Sequence, residues 1–255
     1  MSASDMAILY IVVPCYNEEE VLPESARVLR GKLLSLIARE RINPLSRLVL
    51  VDDGSSDRTW SIIDNLCREN EHICALRLGR NRGHQNALMA GLVKSMTRCD
   101  MTVSIDADLQ DDVDAIDEMV EKYYDHNPIV CGVRKNRDSD SFLKRTTAQG
   151  FYMLMNLMGS KSIFNHADFR LMSSYAVKML SRFGTEDLYL RGLVTRLEMP
   201  IAKVYYDRLP RAAGESKYSL RKMLALAMKG FQSRKMVPAA AEMIGELYIA
   251  EEIWK

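Results

Sequence analysis

Several features that would narrow the function are missing from this chain. Charge of one sign does not dominate. Across 255 residues, 35 Lys and Arg meet 34 Asp and Glu, for a formal net charge of +1. That balance excludes a general electrostatic pull on nucleic acid. Paired cysteines are missing as well. The five (Cys15, Cys67, Cys74, Cys99, Cys131) are odd in number and form no C-x-x-C, which points to buried reduced thiols in a reducing, cytoplasmic setting. Long uncharged runs are absent too. The longest covers residues 146–160, between Arg145 and Lys161, and contains Gln149, Asn156 and two glycines. It falls short of the roughly 18 residues expected of a membrane-spanning helix. The first residues, MSASDMA, lack the basic region of a signal peptide. Gly79-Arg80-Asn81-Arg82-Gly83-His84 is neither a Walker loop nor a G-x-G-x-x-G fingerprint, which disfavours P-loop and hydride-transfer enzymes. No internal repeat, low-complexity tract or clean linker appears.

What is present is a patterned apolar half. Hydrophobic residues make up 47% of the chain, enough for a sizeable core. Apolar runs at 8–13, 47–51, 73–78, 101–105 and 129–133 read as strands, with Pro14 expected to stop the first. Helical patterns alternate with them at about 18–40, over a stretch carrying Trp60, Ile63 and Leu66 that Ser56 or Asp57 could cap, and at 83–96 and 113–124. This alternation predicts an α/β fold with a mostly parallel sheet and helices on both faces. Ligands of such sheets bind beyond the carboxyl ends of the strands. Polar clusters sit at those ends: Asn17 and Glu18, then Asp52 and Asp53, then Asp106 and Asp108.

The clusters have distinct chemistries. Asp106-x-Asp108 offers hard oxygen ligands suited to Mg2+ or Mn2+, which share their shell with substrate phosphates. Gln110 could add a neutral oxygen, while Asp111 and Asp112 are expected to serve the positive end of the next helix. Asp52-Asp53-Gly54-Ser55 suits either recognition of a base or ribose, or a strand-to-helix turn. Arg80, Asn81 and His84 could face a nucleotide at a helix start. His166-Ala167-Asp168-Phe169-Arg170 supplies either a structural Asp168–Arg170 pair or a carboxylate that orients or deprotonates an acceptor. The second half is richer in base: Arg134, Lys135, Arg137, Lys144 and Arg145, then Arg208, Arg211, Lys217, Arg221 and Lys222. A helix rich in Met, Phe and Tyr is expected over about 142–158. The stretch from Arg208 to Tyr218, with Gly214 inside it, suits a loop that closes over phosphates.

In number and order, VVPCYNEEE, VLVDDGSSDRT, LGRNRGHQNALMAGL, SIDADLQDD, GVRKNRDSDSFLKR, ADFRLMS and RAAGESKYSL resemble the family 2 glycosyltransferases of GT-A fold. The similarity covers about residues 7–235 and is greatest to the polyprenyl-phosphate branch, which includes dolichol-phosphate mannose synthase and the bactoprenol glucosyltransferases. The resemblance implies a nucleotide-sugar pocket bordered by Pro14, Tyr16, Asn17, Glu18, Asp52, Asp53, Asn81, His84, Asp106 and Ala107. It implies a metal, Mg2+ or Mn2+, on Asp106 and Asp108 with Gln110 nearby. It gives catalytic roles to Asp168, Asp108 and Arg134, and phosphate-binding roles to Arg137, Arg208, Arg211 and Lys217. The implied reaction is an inverting transfer of a hexose, best read as glucose from UDP-glucose, to polyprenyl phosphate on the cytoplasmic membrane face. UDP-galactose, a UDP-N-acetylhexosamine, GDP-mannose or a non-lipid acceptor are the alternatives, and a silent nucleotide-binding module is the remaining reading.

The chain departs from that branch near its end. GFQSRK runs directly into MVPAAAEMIGELYIAEEIWK, where a membrane hairpin is usual. The expected organisation is a catalytic domain at 1–217 and an amphipathic helical extension at 218–255 with no hairpin. Its helix at 218–235 is expected to lie on an anionic membrane surface. Homo-oligomers are a further expectation from related membrane enzymes.

Overall fold

The structure is a computed structural model and describes residues 6–135, 166–183, 188, 190–208 and 248–254. Its first half follows the predicted alternation: β1 (Leu9–Cys15), α1 (Leu22–Ala38), β2 (Arg47–Asp52), α2 (Thr59–Glu69), β3 (Ile73–Leu78), α3 (His84–Ser95), β4 (Met101–Ser104), α4 (Ala115–Tyr124) and β5 (Ile129–Arg134). Then come β6 (His166–Ser173), α5 (Ser174–Leu180), α6 (Leu190–Val194), β7 (Ile201–Tyr206) and β8 (Ile249–Ile253).

The strands form one eight-stranded sheet in the order β7-β5-β6-β4-β1-β2-β3-β8. Pairs β1–β2, β2–β3, β1–β4 and β5–β7 are parallel. β6 runs antiparallel between β4 and β5, and β8 runs antiparallel along β3. From β1 the chain steps outward to β2 and β3, then returns to place β4 on the other side of β1. That reversal opens a crevice outside the carboxyl ends of β1 and β4.

Alternation along the strands feeds two cores. Leu9, Ile11 and Val13 pack into one with Leu22, Ala26, Leu29, Leu33 and Leu36 of α1, Ile63 of α2 and Met119 of α4. The α1 residues recur at steps of three and four, as one helix face requires. Tyr10 and Val12 face the other core, with Leu88 and Leu92 of α3, Val177 of α5 and Leu193 of α6. Helix α3 approaches the sheet closely at Gly91, where a Cβ would press on Val12 and stand 2.7 Å from Val51.

Several expectations change. Pro14 does not end β1, which continues through Cys15. The Val12 carbonyl accepts from Ile105 on the β4 side and the Cys15 carbonyl accepts from Asp53 on the β2 side. Pro14 therefore faces the β4 side, beyond the last β4 pairing at Ser104, where its missing N–H is not needed. Helix α1 starts at Leu22 rather than Glu18. Asn17 takes φ 52 and Glu18 accepts from Val21 and Leu22 as a turn, and Pro23 falls within the first helical turn. Residues 249–253, predicted as part of a helical extension, form β8. The expected helices at 142–158 and 218–235 lie outside the described residues. Among the described residues no helix is long and apolar enough to cross a membrane.

Candidate functional site

The carboxyl ends of β1, β2 and β3 are tied together by short polar bonds. Ser55 Oγ accepts from the Asn17 N–H (3.0 Å) and Asn17 Oδ1 accepts from the Ser56 N–H (2.9 Å). The Glu18 N–H donates to Thr59 Oγ1 (2.9 Å). Asp53 accepts the backbone N–H groups of Arg82 (2.7 Å) and Gly83 (2.9 Å), one on each oxygen. Burial pushes the Asp53 carboxyl up, and those two bonds pull it back. Gly54, at φ +67, lets the two turns touch, since a Cβ there would stand 2.5 Å from the Arg80 carbonyl carbon. Tyr16, Arg80 and Asn81 are exposed at the rim. Asp52, by contrast, is 0% exposed. It accepts from the Ser55 N–H (3.2 Å) and lies 3.6 Å from Arg77 Nε. It belongs to the strand-to-helix turn after β2.

After β4 the chain turns sharply. Leu109 takes φ 50, and Asp108 Oδ1 accepts from the Gln110 N–H (3.2 Å). The Asp106 side chain stays 38% exposed while Ala107 is buried in the core under α1, its carbonyl held by Ser25 Oγ. Gln110 Oε1 accepts from Arg208. Asp111 is not a helix cap. It is buried and accepts from Tyr206 Oη (2.6 Å) and Arg134 Nη2 (2.8 Å). Arg134, expected to act in catalysis, is thus held as a brace between the acidic turn and the end of β7. Asp112 does serve the approach to α4, accepting from the Asp114 N–H (2.9 Å).

The antiparallel pairing of β6 brings the third acid in. Residues 101–104 pair with 173–170, and just beyond this ladder the His84 imidazole lies within 3.6 Å of both Asp106 and Asp168. Asp168 is buried and surrounded by donors. Arg170 pairs with its Oδ1. Its Oδ2 accepts from Gln85 Nε2 (3.1 Å) and Arg191 Nη2 (3.1 Å), with His84 Nε2 at 3.6 Å. Burial alone would raise this carboxyl, but Arg191, His84 and Arg170 hold it well below the usual carboxylate range. Burial opposes protonation of His84, yet Asp168 and Asp106 raise it to about 9, so its imidazole is cationic at neutral pH.

Burial raises the Asp106 carboxyl; His84 opposes this, while the charges of Asp168, Asp111 and Asp108 add to it. Such a point is relieved by a cation. Among the described residues no three His, Cys, Asp or Glu converge on one ion position. Asp106 and Asp108 therefore offer a partial shell of hard oxygens, completed by a ligand's own oxygens. That is the habit of Mg2+ and Mn2+ at phosphates, and the donor set fits them.

The structure thus gathers Asn17, Glu18, Asp53, His84, Asp106, Asp108 and Asp168 along one edge of the sheet. Arg137, Arg211 and Lys217 lie outside the described residues. Two of the partners of Asp168, Gln85 and Arg191, carry little signal in the sequence. Gln85 directly follows His84 in the glycine stretch. Arg191 sits in YLRGL, a partial echo of the Q-x-x-R-W motif of processive synthases.

A family model for glycosyl transferase family 2 matches residues 10–180. The chain belongs to that family. An uncharacterized glycosyltransferase of Bacillus subtilis (strain 168), YkoT, is 47% identical over 91% of this chain and 68% of its own length. The bactoprenol glucosyl transferase of Shigella phage SfX is 34% identical over 94% of this chain and 76% of its own. Among solved structures, glucosyl-3-phosphoglycerate synthase from Mycobacterium tuberculosis, in complex with Mn2+, UDP and phosphoglyceric acid, superposes with a TM-score of 0.57 at 16% identity, covering 91% of this chain and 78% of that one. The mannosyltransferase PcManGT from Pyrobaculum calidifontis, in complex with GDP-Man and Mn2+, gives 0.57 at 17% identity, covering 95% and 69%. Both likenesses establish the GT-A-like fold, as the sheet order and its helix-covered faces predict.

Proposed function

We propose that this family member transfers a hexose from a nucleotide sugar to a polyprenyl phosphate, at the cytoplasmic face of a membrane, with one inversion at the anomeric carbon. The observation that carries the reading is the approach of Asp106 and Asp168 to one imidazole beside the β1–β4 crevice, with Asp108 two residues beyond Asp106 and the turns after β2 and β3 held together by Asp53. The names of the bactoprenol glucosyl transferase relatives support the acceptor and favour glucose. UDP-glucose is the donor of choice on that reading.

The residues divide the work. Asp53 holds the loop against which the base would lie. Asp106 and Asp108 would bind Mg2+ or Mn2+, which supplies positive charge against the departing diphosphate. Asp168 is a weak base, because its neighbours keep it ionised. A lipid phosphate, already anionic at neutral pH, has no proton that must be removed before attack. Asp168 therefore acts by fixing the cationic His84, Arg170 and Arg191 around the acceptor approach, and positioning is its contribution. The basic residues Arg137, Arg208, Arg211 and Lys217 are assigned to donor and acceptor phosphates.

The test is a panel of UDP- and GDP-sugars presented with undecaprenyl phosphate in vesicles, with and without Mn2+. One sugar is expected to reach the lipid, only with metal, and Asp108→Ala is expected to abolish the transfer. Unchanged transfer by Asp108→Ala would sink the metal assignment. Transfer only to a soluble acceptor would sink the lipid assignment.

A further inference from the structure

β8 does more than widen the sheet. It pairs antiparallel with β3, and the register slips between Arg77 and Leu78, at the point where β3 leaves for the glycine loop. Just beyond that slip, the Tyr248 carbonyl accepts from the Gly79 N–H (2.9 Å). The Tyr248 ring lies under the Arg82 guanidinium, 4.1 Å from ring centroid to guanidinium carbon. The buried Arg82 Nε has no hydrogen-bond partner among the described residues, and the ring face packs against its guanidinium. The Arg82 main chain is the same one that donates to Asp53. One short loop is therefore gripped on one side by Asp53 and the close approach of Gly54, and on the other by Tyr248.

We propose that Tyr248, at the start of the C-terminal strand, is a positioning residue of the nucleotide site, acting through Gly79 and Arg82 on the loop that Asp53 holds. It touches neither of the acids at the reacting centre. Its effect is to reduce the positions open to residues 79–83, so that less order has to be imposed when a nucleotide binds. The inference rests on the proposal that this edge binds the nucleotide.

Trp254 supplies the control. It lies at the other end of the same strand and packs elsewhere, stacked on Tyr10 (6.2 Å between centroids) and under Arg98 (4.4 Å). The experiment measures Kd for UDP and for GDP with Mn2+, by calorimetry on the full chain, for wild type, Tyr248→Leu, Tyr248→Phe and Trp254→Ala, with a melting temperature for each. Tyr248→Leu is expected to weaken nucleotide binding about five- to tenfold, the scale of a partly desolvated cation–π contact. Tyr248→Phe, which keeps the ring, is expected to bind as wild type does. Trp254→Ala is expected to lower the melting temperature without weakening binding. An unchanged Kd in Tyr248→Leu overturns the inference, as does a loss of affinity that tracks melting temperature in both Leu and Ala variants. Should Tyr248→Leu fail to fold, weakened binding by a folded Tyr248→Phe would overturn the ring's role and wild-type affinity would support it. Wild-type binding to neither nucleotide would instead overturn the nucleotide reading on which the inference stands.

Discussion

Asp106, just past the end of β4, and Asp168, on β6, are bridged by the His84 imidazole, which lies 3.5 Å from the first and 3.6 Å from the second. One cation thus serves two carboxylates from different strands. Among the described residues, further donors enclose Asp168 and not Asp106, and the difference separates an open acid from a locked one.

Asp168→Asn removes the charge while keeping the shape. The expected loss is about a hundredfold in kcat, the scale of a misplaced reacting group, with a small change in donor KM. The wild-type profile of kcat/KM is expected to show no acid limb between pH 5 and 7 from this group, since its carboxyl titrates below the ordinary value of about 3.9. A limb near pH 6 that vanishes in Asp168→Asn would restore Asp168 as a general base.

The same depressed carboxyl makes a statement about stability. Asp168 is held down by Arg191, His84 and Arg170. Asp117 is held down, against its burial, by Lys32 and Arg39. A carboxyl that is more acidic folded than unfolded stabilises the fold above its unfolded pKa, and the contribution is lost as pH falls through the folded value. The part of the denaturant midpoint owed to these two carboxyls is therefore expected to stay level from neutrality to about pH 5 and to be lost below about pH 4. The drop should be shallower in Asp117→Asn.

Tyr206→Phe removes the 2.6 Å bond to Asp111 and is expected to cost about 1.5–3 kcal/mol, as for a hydrogen bond to a charged group. Because Asp111 is anchored to β5 and β7 close to Asp106 and Asp108, the proposed metal ligands, the variant should also need more Mn2+ for half-maximal activity. A stability loss with an unaltered metal requirement would confine Tyr206 to the core.

Two glycines should behave differently. Gly91→Ala crowds Val12 and Val51 and is expected to cost about 1–3 kcal/mol of stability by overpacking, with nucleotide affinity kept by the folded fraction. Gly54→Ala combines positive φ with a clash against Arg80. It should weaken nucleotide binding even where the protein remains folded. Unfolding curves and UDP titrations on the same samples separate the two.

The parallel core was readable because its strands are buried on both faces and carry unbroken apolar runs such as LYIVV and RLVLV. β6 was harder. HADFRLMS contains a buried Asp and a buried Arg that satisfy one another, so neither alternation nor composition marks it as a central strand. The acids of the site were visible as types at strand ends, but their assignment was not. Asp52, Asp53, Asp106 and Asp111 differ mainly in which way a tight turn aims them, and that depends on Gly54, Leu109 and partners from distant strands. β8 was hidden for a related reason. IAEEI looks like part of an amphipathic helix until β3 offers it an edge.

The five cysteines are buried and form no disulfide, and they are shared between the two faces of the sheet. Cys15 and Cys67 belong to the core beneath α1 and α2, while Cys74, Cys99 and Cys131 belong to the one beneath α3. Burial raises Cys15 and Cys131 and pushes Cys99 up to about 12, so none of these three reacts while its layer is closed. Each layer therefore carries its own chemical clock. The order in which alkylation reaches the two sets, read peptide by peptide, reports which side of the sheet opens first.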